Sequence, residues 1–151
     1  MTLRIRKATP ADLATIVDFN RCMALETEDK VLDPQVLAAG VTAALADRHK
    51  AVYFVAEDDQ QIVGQLSITL EWSDWRNGWL WWFQSVYVRP EARRRGGFKA
   101  LYQHVYQTAR ADPEVIGLRL YVEKDNHTAQ QTYLRLGMAW TPYLILQKYP
   151  L

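Results

Sequence analysis

The run Arg93-Arg94-Arg95-Gly96-Gly97-Phe98 sets arginines and glycines between an apolar segment, Val86-Tyr87-Val88, closed by Pro90, and an amphipathic stretch. The chemistry open to such a turn is the binding of an anion. Glycine has no Cβ, so the backbone can come close to a ligand and take conformations denied to other residues. The first N–H groups of a helix have no partner inside the helix and point at whatever lies off its end. The helix dipole and the guanidinium groups add positive potential. The ordinary alternative is a solvated basic turn. It is disfavoured here, because arginines at the positive end of a helix dipole are repelled unless an anion is present. A phosphate-bearing cofactor is the expectation.

The elements that must hold this turn follow from periodicity and punctuation. Leu3 and Ile5 alternate with basic residues as a short strand. Thr9-Pro10-Ala11-Asp12 reads as a helix start, with Thr9 as N-cap and Pro10 at the first helical position. Leu13, Ile16, Val17 and Phe19 give that helix its apolar face. Asp33-Pro34 starts a second helix with Val36, Leu37, Val41 and Leu45 on one side. Val52–Ala56 is a strand, Asp58–Gln61 a turn, and Ile62 to about Glu71 the returning strand. An Asn77-Gly78 pair marks a second turn before the apolar run Trp79–Val88, which suits a central strand covered on both faces. Phe98, Leu101, Tyr102, Val105 and Ala109 recur at helical spacing, and Asp112-Pro113 ends that helix. Leu118–Val122 is expected as a strand, Asn126-His127-Thr128 as a short helix start with Gly137 at its C-terminal end, and Tyr143–Lys148 as a last strand. The order is β-α-α-β-β-β-α-β-α-β, a mixed α/β chain.

Bulk properties narrow the function. A chain of 151 residues reads as a single domain, 1–151, with room for a core. The formal net charge of +1 offers nothing global to draw the protein to nucleic acid or to an anionic membrane, so any basic function is local. The lone Cys22 can form neither an intrachain disulfide nor a cysteine-based zinc site. The three histidines have no metal-ligand spacing, and no metal is expected. The N-terminus lacks the pattern of a signal peptide and no apolar run is long enough to span a bilayer, so a cytoplasmic, membrane-free domain is the expectation.

With the loop and element order in place, the chain resembles the GNAT acetyltransferase superfamily over almost its whole length. That family's cofactor loop reads Arg/Gln-x-x-Gly-x-Gly/Ala. Here Arg93 and Gly96 match it, and Phe98 stands at the last position in place of a small residue. Leu101 falls at the first core leucine of the following helix. A second matching segment is Asn126-x-x-Ala129-x-x-x-Tyr133-x-x-x-Gly137-Met138. Either motif alone is weak; the pair, in order and on the expected elements, is strong. The resemblance implies a mixed, mostly antiparallel sheet of about six to seven strands flanked by helices, in which two central strands splay apart. It also implies binding of acetyl-coenzyme A and direct transfer of the acetyl group to an amine. Val86 and Val88 would pair with the pantetheine arm, and Arg93, Arg94, Arg95, Gly96, Gly97, Phe98 and Lys99 would hold the pyrophosphate, with one arginine facing solvent or pairing with Glu91. Asn126 would bond the arm's amides, or serve as a plain helix N-cap. Tyr133 would be the general acid, or else a core tyrosine. A phenol and an alkyl thiol have similar proton affinities, so transfer between them is nearly balanced.

The general base is open. Glu71 is the first candidate, with Asp74, Glu26 and Glu28 behind it, and each is also readable as a surface or salt-bridge carboxylate. Glu26, Glu28, Trp75 and Trp79 are the candidate acceptor pocket, where aromatic faces and acids would suit a cationic amine; core packing is the plainer reading of the tryptophans. A small-molecule amine is the expected partner, with a protein amine as the alternative, and the chain leaves a homodimer open. Two rivals come from other classes: a non-catalytic acyl-CoA sensor, and a nucleic-acid binder built on Arg89 and Arg93–Arg95, which the net charge disfavours.

Overall fold

The computed structural model describes residues 2–151, which form two compact units, one ending at Leu120 and one comprising Tyr121–Leu151. The first unit carries one antiparallel meander with a parallel strand added at its end. Strands β1 (Leu3–Lys7), β2 (Val52–Asp58), β3 (Gln61–Ser73), β4 (Gly78–Val88) and β5 (Val115–Leu120) lie in the order β1-β2-β3-β4-β5. All neighbours are antiparallel except β4 and β5. Among the described residues no helix is long and apolar enough to cross a membrane.

Local rules explain the connections. β2 and β3 are joined by Asp59 and Gln60, both at positive φ (49° and 67°). That is the conformation whose twist matches a two-residue hairpin, and short polar Asp tolerates it. Helix α1 (Leu13–Glu28) follows a 3-10 turn over Pro10–Asp12, and α2 (Pro34–Ala46) is capped by Asp33, whose carboxylate accepts from the N–H groups of Gln35 and Val36. Ile16, Val41 and Tyr53 bury together, with Leu13, Val17, Leu37 and Leu45 packed around them. Val36 does not join them and is 70% exposed. A helix turns about 100° per residue, so Val36 stands well off the stripe through Leu37, Val41 and Leu45.

On the other side of the sheet lies α3 (Gly97–Ala111), which contacts all five strands. Leu101, Tyr102, Val105 and Ala109 are buried, and Tyr102 stacks on Phe83 of β4 at 5.5 Å. Strand β5 begins earlier and ends earlier than the sequence suggests. Its ladder to β4 opens at Trp79↔Val115, directly after the helix stop at Asp112, and closes at Phe83↔Leu120. The sheet has five strands, fewer than the six to seven expected. Residues 143–148, expected as a last strand, do not form one. A strand needs a neighbour for its backbone groups, and the unit Tyr121–Leu151 holds one helix, α4 (His127–Arg135), and no strand to supply a ladder.

One ion cluster ties the start of the chain to the sheet. Arg6 of β1 donates to both oxygens of Asp12 (2.8 and 2.9 Å) and to Glu57 of β2 (2.8 Å), and the Thr9 N–H donates to Asp12 at 2.8 Å. These bonds, that of Arg6 foremost, hold the Asp12 carboxyl below its ordinary range. Its contribution to stability is therefore complete above the unfolded value of about 4 and is lost as pH falls through the lower folded value. Asp12 is buried and takes two of Arg6's bonds, so Asp12→Ala leaves Arg6 with Glu57 as its one carboxylate partner and should cost roughly 2 kcal/mol in urea unfolding at pH 7. The gap between the variant and the unmodified protein should shrink as the pH is lowered below about 4.

Candidate active site

The basic loop is the point where β4 ends and α3 begins. After Val88 a 3-10 turn over Pro90–Ala92 leads to Arg93, and the backbone then reverses through Arg94 (φ 61°) and Gly96 (φ 88°). Gly96 is the N-cap of α3 and has no side chain, so no cap oxygen competes for the helix end. The helical ladder opens with the Ala100 N–H donating to the Gly96 carbonyl at 2.9 Å. A Cβ built on Gly96 would meet nothing within 4 Å, so the surface above it is open. Gly97 is buried, and a Cβ there would press on Val88 at 3.3 Å, which lets helix and strand approach closely. The ring of Phe98 lies along the helix against Tyr102, centroids 6.1 Å apart, and Lys99 is exposed in the first turn.

β4 itself is irregular at this end. Ser85 takes a positive φ of 51°, and the register against β3 slips between Gln65 and Ser67. This is a bulge, which bends a strand and ends regular pairing. The ladder to β5 has already closed at Phe83, so Gln84–Val88 lie beyond it. The bulge is held from below. Gln65, fully buried, donates to the Ser85 carbonyl (3.1 Å) and to Asn20 of α1 (2.7 Å), and Asn20 donates to Tyr53 (3.2 Å).

The arginines are not equivalent. Arg93 donates through Nε to the Val88 carbonyl (2.9 Å) and through its terminal nitrogen to Glu26 at the end of α1 (2.6 Å), with its guanidinium 5.5 Å from the ring of Tyr87. Tyr87 donates its hydroxyl to the other oxygen of Glu26 at 3.3 Å. Burial, then the charge of Glu26, pushes that hydroxyl up to about 12. Arg89 is also engaged, donating to the Ile62 carbonyl at 2.9 Å with its guanidinium 5.0 Å from the ring of Phe19. Arg94 and Arg95 are exposed, and Arg95 lines a cleft of about 520 Å³ with Arg89, Asp58 and Glu91.

The candidate pocket residues are not brought together. Glu26 meets Tyr87 near the C-terminal end of β4. Trp75 projects from the far hairpin tip, and Trp79 packs edge-to-face on Trp72 at 5.0 Å, on the strand face shared with Phe83. Glu28 is exposed, and Asp74 accepts from the N–H of Trp75. Glu71 lies on the opposite sheet face from Trp79, where its Oε1 accepts from Trp82 Nε1 (2.9 Å) and from Arg119 (3.1 Å).

In the second unit, the spacing of the second motif is the anatomy of one helix. Asn126 caps α4 by accepting the Ala129 N–H at 3.1 Å. Gly137 (φ 93°) ends it, with the Gly137 N–H on the Leu134 carbonyl (3.0 Å) and the Met138 N–H on that of Tyr133 (3.1 Å). That pair of bonds is a Schellman cap. Burial pushes the Tyr133 hydroxyl up from its usual value.

The model of the acetyltransferase (GNAT) family matches residues 18–138. The chain belongs to the GNAT acetyltransferase family. Among solved structures it is similar to a possible acetyltransferase from Clostridium difficile 630, with 42% identity, a TM-score of 0.93, and 100% of this chain and 99% of that chain covered. It shares its fold with a predicted acetyltransferase from Clostridium acetobutylicum solved with acetyl-CoA (19% identity, TM-score 0.79, coverage 97% and 96%). It also shares it with an aminoglycoside acetyltransferase from an uncultured soil metagenomic sample in complex with sisomicin (18% identity, TM-score 0.76, coverage 99% and 96%). No match is found among the curated proteins.

For a GNAT chain the features missing from the sequence reading are Ser85, Gln65 and the tie from Arg93 to Glu26. The bulge shows in the directions of the side chains. Phe83 faces α3, as does Val88 and, by alternation, Val86, so the step from 83 to 86 breaks the period of two. The loop residues present fit a pyrophosphate: an open αL glycine, an uncapped helix start and three exposed arginines, of which Arg93 is engaged with Glu26. Gly96→Glu would place a carboxylate in that opening and force a side chain onto a positive φ. It should lower stability by about 1–2 kcal/mol and abolish binding of coenzyme A, read by calorimetry alongside thermal melting.

Proposed function

We propose that this protein acetylates a primary amine of a small molecule, using acetyl-CoA. The observation that carries the reading is the uncapped start of α3 at Gly96, set where β4 has left its ladder with β5. The glycines and first-turn N–H groups of α3, with Arg94 and Arg95, would hold the pyrophosphate, and Val86 and Val88 would offer strand backbone to the pantetheine arm. Acetyl-CoA supplies the activated thioester acyl group. Asn126 spends its oxygen on capping α4, so its amide NH₂ is the part left to bond the cofactor. Tyr133 is assigned as the acid; a phenol is protonated at neutral pH, and burial raises this one further, which disfavours a lasting phenolate. Glu71 is the proposed base; its Oε1 is anchored by Trp82 and Arg119, which leaves Oε2 to take the ammonium proton, directly or through water.

A small acceptor is favoured over a nucleic acid because Arg89 and Arg93, two of the four arginines a nucleic acid would use, are engaged within the protein. The related fold that binds sisomicin shows that its own scaffold accommodates an aminoglycoside. Calorimetric titration should show binding of acetyl-CoA and CoA, and absence of binding to the folded protein would overturn the reading. Tyr133→Phe should lower kcat roughly 100-fold with little change in the Kd for CoA. Glu71→Gln should lower acetylation by a similar factor near pH 7, with the rate recovering as pH approaches the amine's own value of about 10, where no base is needed. A flat Glu71→Gln profile would remove Glu71 from the reaction.

A further inference from the structure

We infer that Arg93 acts as a clamp, tying the cofactor loop to the end of α1 through Glu26, and that it is a positioning residue with no phosphate to hold. Four contacts carry this. Arg93 Nε reaches back to the carbonyl of Val88, the last residue of β4. Its terminal nitrogen meets Glu26 Oε2 at 2.6 Å. Its central carbon lies over the ring of Tyr87 at 5.5 Å, and Tyr87 closes the circuit by donating to Glu26 Oε1 at 3.3 Å.

An exposed ion pair on its own contributes little. Here the guanidinium has a second acceptor and a ring beneath it, and the carboxylate has a second donor, so the geometry is set from both sides. Directly after Arg93 the chain passes through Arg94 at a positive φ of 61°, a strained conformation for a residue with a Cβ. Such a conformation persists only where the surroundings over-determine it. The clamp supplies that restraint on the β4 side, while α3 holds the other. Glu26 also argues against a phosphate role for Arg93, because a carboxylate at that distance neutralises the guanidinium and repels an incoming phosphate. The assignment turns Glu26 from an acceptor-binding acid into the anchor of the cofactor loop.

The consequence for ligand binding rests on the coenzyme reading above, whereas the clamp does not. The two are separated by testing Glu26→Ala, Arg93→Gln and the double variant in two ways. In the ligand-free protein, tryptic cleavage after Arg94 and Arg95 should speed up roughly fivefold or more in each variant, with far-UV circular dichroism unchanged. In titration with CoA, each single variant should bind roughly three- to tenfold more weakly, and the double variant no more weakly than the worse single one. If Arg93 held phosphate directly, Glu26→Ala would free it and remove a negative charge, and CoA would bind more tightly. Unchanged cleavage or tighter binding in Glu26→Ala overturns the clamp. Failure of the unmodified protein to bind CoA overturns the coenzyme reading instead, and the cleavage rates still decide the clamp.

Discussion

The site depends on how the backbone of β4 is satisfied. Over Trp79–Phe83 the strand has β3 on one edge and β5 on the other, and from Gln84 onward the ladder to β5 is finished. Buried N–H and C=O groups must find partners, so a strand that leaves one ladder is committed to another acceptor or donor along the same edge. The bulge at Ser85 makes that departure a built feature. It turns the strand by one residue and brings Tyr87 onto the face of Gln65, with which it pairs across the sheet. The Gln65 side chain fixes the Ser85 carbonyl from the helix side, and Asn20 and Tyr53 fix Gln65 in turn.

Electrostatics at the end of β4 are divided by geometry. Four arginines crowd into Arg89–Arg95, which would be a strongly cationic turn if all were free. Arg89 is spent on the Ile62 carbonyl and the face of Phe19, and Arg93 on Val88 and Glu26. What remains facing outward is Arg94, Arg95, Lys99 and the uncapped helix end. The local field is therefore set by these three side chains and a row of backbone dipoles, and the other arginines serve to hold the strand, the loop and α1 in place.

Much of this was legible in the chain because it is written in local physics. The helix start at Asp33-Pro34, the hairpin at Asp59-Gln60, the stripe of α3 and the caps of α4 each depend on a few consecutive residues and on the period of one element, whereas Thr9-Pro10 opens a 3-10 turn and α1 begins only at Leu13. The second motif is the clearest case: Asn126 and Gly137 are spaced as the two ends of one short helix, the first accepting an N–H, the second taking φ 93°. The loop was legible for the same reason, since a glycine at φ 88° and a missing cap are properties of the residues at that point.

What could not be read belongs to pairs far apart in sequence. Arg93 is 67 residues from Glu26, and Gln65 is 45 from Asn20. Nothing local distinguishes an arginine that meets a phosphate from one that meets a carboxylate on another helix. Trp75 and Trp79 are four residues apart yet part company, because one lies in the turn and the other on a strand face against Trp72. The extent of β5, and the missing sixth strand, follow from which neighbour supplies a ladder, a property of the pair and never of one segment. The sequence by itself determined the order of the helices and of the first five strands, and the Arg/Gly turn between β4 and α3, since these arise from backbone preferences a few residues long. Only the tertiary structure decided which arginine remains available, where β4 bends and what each carboxylate touches, because those depend on contacts that folding alone brings within hydrogen-bonding distance.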